Sequence, residues 1–448
     1  MTAVAAIFCA LGLVAGAFSA SAVMVQANAA MPSGAARPHL DAALAAEHWI
    51  SAAALRTEHG TVWPADPREP KSVSYDLYSG APGVVLFYSE LYRSTGDARY
   101  RAALLSGADA LVAALDTEKD TGLYTGIAGI GFALAEASKA TRSRKLKDAA
   151  LRGAQLLRER AKKTGAGITW NDTTDIISGS AGTGLFLLYM AREFGDAASR
   201  ETAVQAGLHL IELARPENGG LKWAMDPNFP RLMPNFSHGT AGVAHFLATL
   251  YQETKRKEFL DAALAGARYL QSVAETSGDI CLIFHNEPDG KNLYYLGLCH
   301  GPVGTARLWY RLYQATGDRA WLGWLEKSAR AILASGIPEK QTPGFWNNVS
   351  VCCGSAGVAE FFLEIYRVTR KPEYLEFSER VTADLLARAT RDSGGMRWVQ
   401  AEHRVRPELL VAQTGYMQGA AGIGMWLLHL DAFERGKKSW IRLPDSPF

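Results

Sequence analysis

The sequence Gly354-Ser355-Ala356-Gly357 places two glycines three positions apart, directly before the mainly apolar segment Val358-Ala359-Glu360-Phe361-Phe362-Leu363. The same G-x-x-G element, followed each time by an apolar segment, occurs seven times along the chain. Its first glycines are Gly80, Gly126, Gly179, Gly239, Gly301, Gly354 and Gly419, spaced 46 to 65 residues apart. A spacing of this size accommodates two helices and their connections, so the sequence predicts seven helical repeats.

A second regular feature marks the helices within each repeat. In five repeats a threonine follows the second glycine by twelve residues, where the first helix should end. These threonines are Thr95, Thr141, Thr254, Thr316 and Thr369. Five residues after each threonine comes a large apolar residue that should anchor the second helix. We therefore predict an all-α fold of seven helical hairpins with no substantial sheet.

Seven similar hairpins can form an open solenoid or a closed ring. Glycines at the start of every first helix let backbones approach closely, as the narrow end of a ring requires. An open array more often ends in polar capping repeats, whereas the last repeat, residues 416–430, is as apolar as the others. These features favour a closed α/α toroid, a barrel of helical hairpins.

In a closed ring, the two residues before each G-x-x-G element should face a common central cavity. These pairs are Tyr78-Ser79, Tyr124-Thr125, Ile177-Ser178, Ser237-His238, Cys299-His300, Cys352-Cys353 and Met417-Gln418. Cys299 and Cys352 occupy the same position in consecutive repeats, so they should be neighbours. Three thiolates at one point are typical of a zinc site. The sequence therefore predicts Zn²⁺ binding by Cys299, Cys352 and Cys353.

Two other interpretations of the cysteines stay open. They are either small buried side chains that only pack, or members of a disulfide framework, as in many exported proteins. Adjacent Cys352 and Cys353 can pair with each other only under strain, which counts against the second interpretation. His300 and His238 are candidates for a fourth ligand. His238 is better suited to act as an acid or base across the cavity, because its ordinary pKa lies near neutrality.

Composition limits the classes of function and location. The chain has 448 residues and a net charge of +2, and its lack of a dense basic segment gives no sign of nucleic-acid binding. Residues 2–30 contain no charged side chain and include Ala27-Asn28-Ala29, which resembles a small-residue cleavage site. We expect a signal peptide over residues 1–30, a linker over 31–44 and export to the periplasm or the medium. An uncleaved membrane anchor is the alternative.

Three segments give the chain a resemblance to the lanthionine synthetase C-like (LanC-like) family, which includes lantibiotic cyclases and eukaryotic glutathione-linked relatives. The segments are Asn235-Phe236-Ser237-His238-Gly239-Thr240-Ala241-Gly242, Cys299-His300-Gly301-Pro302-Val303-Gly304 and Cys352-Cys353-Gly354-Ser355-Ala356-Gly357. The resemblance spans about residues 45 to 435 and implies two concentric helix layers, so we place a toroid domain at 45–440. Most members have Cys-His in repeat six, whereas Cys-Cys resembles a minority branch with three cysteine ligands.

The resemblance also implies a reaction, the zinc-dependent addition of a thiol to a dehydroamino acid residue. It would form a lanthionine-type thioether or add glutathione. The family's histidine falls on His238, expected to move the proton, and its aspartate falls on Asp175. Asp175 would orient His238, or else only cap the helix that opens at Gly179. The implied partners are a peptide or small thiol substrate and a separate dehydratase, and we expect a monomer.

Two positions depart from the cyclase pattern. Cyclases carry an arginine four residues before the repeat-five cysteine, where it helps to stabilise the enolate, but this chain has Tyr295 there and Lys291 as the nearest cation. Leu298 replaces the tryptophan that usually precedes the cysteine. His300 is the candidate to hydrogen-bond the enolate oxygen instead.

Three tyrosines are expected at the cavity. For Tyr78, Tyr124 and Tyr295, lining the cavity is an interpretation at least as well supported as a catalytic role.

Two other functions stay open. A non-catalytic zinc protein that binds a peptide or thiol is one alternative, which the missing arginine favours. A glycosidase of the same fold is the other. Some glycosidases use a zinc-bound cysteine as nucleophile, whereas classical ones need paired carboxylates across the cavity. The residues before the glycines supply none, and Glu287 and Asp289 lie on a predicted loop.

Overall fold

The computed structural model describes residues 36–448 except 227, 229 and 230, and these residues form fourteen α-helices. In chain order the helices are α1 (Pro38–Ala52), α2 (Ala81–Thr95), α3 (Ala98–Ala114), α4 (Ile127–Thr141), α5 (Arg144–Arg160), α6 (Ser180–Phe194), α7 (Ala197–Glu212), α8 (Thr240–Thr254), α9 (Lys257–Val273), α10 (Pro302–Thr316), α11 (Ala320–Ser335), α12 (Ser355–Thr369), α13 (Pro372–Ala387) and α14 (Ala420–Glu434). The predicted signal peptide lies outside the described residues. Within them, no helix is both long and apolar enough to cross a bilayer.

The even-numbered helices are the first helices of the predicted repeats. Each begins one residue after the first glycine of a G-x-x-G element, and all seven are 15 residues long. Five of them end at the predicted threonines, whose hydroxyls donate to the carbonyl four residues earlier. The helix starts and ends predicted from the repeat are therefore confirmed.

These seven helices form a closed inner ring. Each contacts the next even-numbered helix, and α14 contacts α2, so the ring has no free end. The odd-numbered helices pack outside it, each against an inner helix. Inner helices such as α6 are buried almost all round, whereas outer helices such as α5 bury one face and expose the other. The predicted toroid of helical hairpins in two concentric layers is confirmed.

The seventh hairpin joins the two ends of the described chain, since α14 packs against α1. Helix α1 starts at Pro38, so the linker predicted for residues 31–44 is wrong from that residue onward. Proline at the start of a helix and the buried residues Leu40, Ala43, Ala46 and Ile50 explain this helix. The sequence pattern missed it because it precedes the first G-x-x-G element.

The glycines allow the inner helices to crowd together. A Cβ at Gly304 would overlap the carbonyl oxygen of Leu298 and the side chain of Phe236 in the preceding repeat. A Cβ at Gly182 would meet the carbonyl of Ile176 in the same way. The close approach predicted for these positions is therefore present.

The described residues also form five short antiparallel β-hairpins, which are the only sheets among them. They pair β1 (Leu55–Thr57) with β2 (Gly60–Val62), β3 (Lys162–Thr164) with β4 (Gly167–Thr169), β5 (Arg215–Glu217) with β6 (Gly220–Lys222), β7 (Thr390–Asp392) with β8 (Gly395–Arg397), and β9 (Gln400–Ala401) with β10 (Leu410–Val411). A buried tryptophan follows four of them. The indoles of Trp170, Trp223 and Trp398 each donate to the outer-helix carbonyl thirteen residues earlier, which ties the hairpin to its repeat.

The C-terminal tail, residues 436–448, returns into the ring. The backbone amides of Trp440 and Ile441 donate to the Glu90 carboxylate on α2 at 3.0 and 2.9 Å. Asp445 pairs with Arg307 on α10 at 2.9 Å. Because α2 and α10 are not neighbours in the ring, the tail occupies its axis, beyond the first turns of the inner helices.

Candidate active site

Backbone hydrogen bonds join the residues before the glycines into a closed circuit around the ring axis. Each bond links one repeat to the next, and the last returns from repeat seven to repeat one. The bonds are Tyr78 N to Tyr124 O (3.1 Å), Tyr124 N to Ile177 O (2.9 Å), Ile176 N to Ser237 O (3.2 Å), Ser237 N to Cys299 O (3.0 Å), Cys299 N to Cys352 O (3.2 Å), Cys352 N to Met417 O (3.0 Å) and Met417 N to Tyr78 O (2.8 Å). The circuit gathers seven helix N-termini at one end of the ring, where their partial positive charge favours anions.

A cavity of about 450 Å³ opens at this end, a volume that suits a small molecule or a peptide side chain. Residues before the glycines of six repeats line it: Tyr78, Ile177, Ser237, His238, Cys299, His300, Cys352, Cys353 and Gln418. Tyr295 also lines it, as expected. The expectation for Tyr124 is wrong, because its buried hydroxyl donates to Asp445 of the C-terminal tail at 3.0 Å.

The three cysteines predicted to bind metal come together, with their sulfurs within 4.8 Å of one another. Cys353 Sγ lies 3.1 Å from Cys299 Sγ and 3.4 Å from Cys352 Sγ. A disulfide requires about 2.0 Å, so these thiols are free. Sulfurs around a tetrahedral zinc with bonds of about 2.3 Å lie about 3.8 Å apart, close to the size of this cluster. Cys281 lies apart, and burial raises its pKa to about 12.

The surroundings favour one thiolate in the cluster rather than three. Hydrogen bonds from Cys299 and Cys353, and one from the Tyr78 hydroxyl at 3.3 Å, hold the pKa of Cys352 well below its ordinary value. Hydrogen bonding within the cluster and burial raise the pKa values of Cys299 and Cys353. Gln418 donates to the Tyr78 hydroxyl at 2.8 Å and so orients it. Full deprotonation therefore calls for a thiophilic cation, which fits zinc.

His238 and Asp175 form a buried pair beside the cluster. His238 Nδ1 lies 2.5 Å from Asp175 Oδ2, and the carboxylate is fully buried. Asp175 Oδ1 also accepts hydrogen bonds from the backbone amides of Ser178 and Gly179, so Asp175 both orients the histidine and caps the turn before α6. Burial alone would lower the pKa of His238, but the hydrogen bond and charge of Asp175 raise it above its ordinary value.

His300 lies among aromatic rings on the same wall. Its ring centroid is 4.5 Å from that of His285, 5.5 Å from His238 and 5.6 Å from Tyr295. Burial, reinforced by the charges of His238 and His285, holds the pKa of His300 well below its ordinary value. His300 is therefore a neutral imidazole, and its buried Nδ1 has no hydrogen-bond partner among the described residues.

Six further residues reach the cavity from connections between repeats and were not predicted from the sequence. These are His285, Trp346, Glu402, His403, Arg404 and Val405. They share no fixed distance from a G-x-x-G element, so the repeat could not single them out. The available signal is connection length, because the two longest spacings in the chain are those that end at Gly301 and Gly419.

Comparison with known proteins gives one family and two informative structures. A family model for lanthionine synthetase C-like protein matches residues 71–442. Nisin cyclase is 18% identical with a TM-score of 0.61, and the match covers 83% of this chain and 91% of nisin cyclase. An inactive double-aspartate variant of the α-1,6-mannanase GH76A of Salegentibacter sp. HEL1_6, in complex with α-1,6-mannotriose, is 15% identical with a TM-score of 0.50, covering 88% of this chain and 99% of the mannanase. At these identities the solved structures show a shared α/α toroid fold.

Proposed function

This chain belongs to the lanthionine synthetase C-like family, and from that premise we propose that it catalyses zinc-dependent addition of a thiol to a dehydroamino acid residue. The acceptor is a dehydroalanine or dehydrobutyrine residue of a peptide, and the product is a thioether. One observation carries the proposal: three cysteine sulfurs line the same cavity as a histidine held by a buried carboxylate.

Cys299, Cys352 and Cys353 would hold the zinc ion. If zinc were bound by these residues, it would lower the pKa of a substrate thiol so that the thiol reacts as thiolate. Three cysteine thiolates would leave the site with a net negative charge beside the incoming sulfur. Tyr78 donates to Cys352, and the helix N-termini of the ring partly offset this negative charge.

His238 moves the proton that the addition requires. The thiol loses its proton before the attack, and neutral His238 accepts it. The sulfur then bonds to the β-carbon while the π electrons of the double bond move towards the carbonyl and form an enolate. Protonated His238 returns the proton to the α-carbon, so the protons balance over the cycle. Between these two steps Asp175 stabilises the charged imidazole, as the raised pKa of His238 indicates.

A classical glycosidase of the same fold is disfavoured by its need for two available carboxylates. Among the described residues that line the cavity, Glu402 is the only acid, and it accepts a hydrogen bond from Gln413 at 2.9 Å. Asp175 is committed to His238 and to the turn before α6. A non-catalytic zinc protein that holds a thiol-bearing peptide is the second candidate, because cysteines and cavity would serve it equally well.

The direct test incubates zinc-loaded protein with a dehydroalanine peptide and a small thiol and follows the peptide by mass spectrometry. A mass gain equal to the thiol is the expected result. His238→Ala should abolish the gain while zinc stays bound. Zinc retained with no adduct for any thiol would favour the non-catalytic candidate, and release of sugar from aryl glycosides would favour a glycosidase.

Zinc binding is tested separately with the cysteines. Cys352→Ala should lower zinc affinity by at least about 100-fold, because it removes a direct ligand. Cys281→Ala is the matched control, since Cys281 is also a free buried thiol but lies outside the cluster. Metal analysis after dialysis against a chelator measures both. Equal zinc content in the two variants would contradict the assignment of the site.

We also propose a separate dehydratase as partner, because the described residues form only the toroid and its tail.

Export remains a proposal that rests on the uncharged residues 2–30. Amino-terminal sequencing of the protein isolated from its source tests it. A mature protein that begins near residue 30 is the expected result, and an intact amino terminus would support an anchor.

A further inference from the structure

Tyr295 and Arg404 meet at the wall of the cavity, although they come from two different connections. Arg404 Nε donates to the Tyr295 hydroxyl oxygen at 3.3 Å. The Tyr295 ring packs edge-on against His300 at 5.6 Å and against Trp346 at 5.4 Å between centroids. Tyr295 thus stands next to the repeat that supplies Cys299, and Arg404 reaches it from the segment between β9 and β10.

Arg404 brings a cation without a counter-ion into the cavity. It is the only lysine or arginine among the described residues that line the cavity. Its guanidinium forms no ion pair with a carboxylate of the described residues, and Glu402 accepts from Gln413 instead. A half-buried guanidinium with free N–H groups favours a negatively charged partner.

The segment that carries Arg404 is fixed to the cysteine-bearing repeat six. The Ala401 carbonyl accepts hydrogen bonds from Trp346 Nε1 at 2.9 Å and Asn348 Nδ2 at 3.0 Å. The Ala401 amide donates to the Asn347 carbonyl at 2.9 Å. These bonds hold the base of the β9–β10 hairpin close to Cys352, so the position of Arg404 is defined by the fold.

The Tyr295 hydroxyl keeps its proton in this setting. Burial raises the pKa of Tyr295, the hydrogen bond and charge of Arg404 oppose that rise, and nearby Cys299 and Cys353 add to it. The hydroxyl oxygen already accepts from Arg404, so its hydrogen is free to donate to another acceptor. Tyr295 lines the same cavity as Cys299 and Cys353, the ligands proposed for zinc.

We propose that Tyr295 is a further catalytic residue, which donates a hydrogen bond to the acceptor's carbonyl oxygen as that oxygen becomes an enolate, and that Arg404 polarises this hydroxyl. The inference rests on the proposed function. The sulfur–carbon bond forms as the π electrons move to the carbonyl oxygen, and they return when His238 protonates the α-carbon. Tyr295 and Arg404 gain and lose no proton over the cycle. The cation that the repeat-five position lacks is thereby supplied from another part of the ring.

The test compares four variants in the thiol-addition assay at saturating zinc. Tyr295→Phe should lower kcat by about 100-fold with KM nearly unchanged, because the donor acts on charge that develops in the transition state. Arg404→Gln should lower kcat by roughly 10-fold, and Arg404→Lys should restore part of it. Arg406→Gln is the matched control on the same segment, since Arg406 is exposed and does not line the cavity, and it should leave kcat unchanged.

A double variant shows whether Arg404 acts through Tyr295. Tyr295→Phe combined with Arg404→Gln should be no slower than Tyr295→Phe alone. Zinc content and affinity for a saturated alanine-containing peptide should be unchanged in all variants. Multiplying effects, a rise in KM alone or no loss of kcat would overturn the inference while wild-type turnover kept the proposed function. Absence of turnover in the wild type with any thiol would instead overturn both.

Discussion

The two ends of the ring axis bury polar groups in opposite ways. At the tail end, acids meet bases: Asp445 pairs with Arg307 at 2.9 Å and accepts from Tyr124 at 3.0 Å, while Glu360 meets His429 at 2.9 Å. At the cysteine end, groups of like character are gathered, namely three thiols and four histidines. Opposite charges neutralise one another inside a protein. A group of thiols and imidazoles instead favours a ligand that is not part of the chain.

The difference separates a structural role from a chemical one. The tail end should contribute to the free energy of unfolding, because removing one partner leaves a buried charge alone. The cysteine end should contribute more to ligand binding and turnover, because its three thiols pair with no cation and His300 Nδ1 has no hydrogen-bond partner among the described residues. Substitutions at the tail end should therefore lower stability more than activity, and substitutions at the cysteine end should lower activity more than stability.

The largest expected effect is on stability at the tail end. Asp445→Asn keeps the shape of the side chain but leaves the Arg307 guanidinium, on which only 12% of the side-chain surface is exposed, without its counter-ion. We expect a loss of about 3–5 kcal/mol in the free energy of unfolding with zinc content unchanged, measured by denaturant titration and metal analysis. Asp392→Asn is the control, since the Asp392–Arg397 pair is partly exposed and should contribute below about 1 kcal/mol. Equal losses in both variants would remove the distinction between the ends.

The next largest effect is a loss of activity, with stability kept, at the cysteine end. Asp175→Asn keeps an oxygen to accept from Ser178 and Gly179 but removes the charge beside His238. The pKa of His238 should fall, so the rate of thiol addition near neutral pH should drop by about 100-fold, with little change in stability. The loss of activity with falling pH, which follows protonation of His238, should also move to lower pH.

Repeat one supplies the control for that variant. Asp76 Oδ1 accepts from the Ser79 amide at 2.7 Å in the same way as Asp175 accepts from Ser178, but no histidine accompanies it. Asp76→Asn should leave the pH–rate profile as in the wild type. A profile that shifts equally in both variants would show that the turn, rather than the charge beside His238, governs the reaction.

The repeat made one side of this comparison predictable from sequence. The G-x-x-G spacing placed every inner helix, and closure of the ring followed from glycines that only a crowded backbone requires. Equivalent positions in consecutive repeats become neighbours, so the convergence of Cys299, Cys352 and Cys353 could be predicted as well. The pairing of His238 with Asp175 depended on family resemblance, because their contact joins two different repeats.

Helix α1, the C-terminal tail and the connections between repeats follow no repeat, so their contacts could not be predicted. Helix α1 completes the seventh hairpin, and the tail fills the axis, through contacts between the two ends of the described chain. Arg404 reaches Tyr295 across 109 positions of sequence, from a connection of irregular length. Periodicity records only the spacing of equivalent residues, so contacts of this kind leave no trace in it.

The smallest expected effect is a pH dependence of stability near the tail end. Burial alone would lower the pKa of His429, but the hydrogen bond and charge of Glu360 raise it above 6.5. The contribution of charged His429 is therefore complete below about pH 6.5 and is lost as the pH rises through the raised pKa. We expect a loss on the order of 1 kcal/mol between about pH 6 and pH 9, which His429→Gln should abolish in thermal unfolding. His39→Gln is the control, because the His39–Glu434 pair is exposed to solvent; a wild-type dependence that survives His429→Gln would assign it to another group.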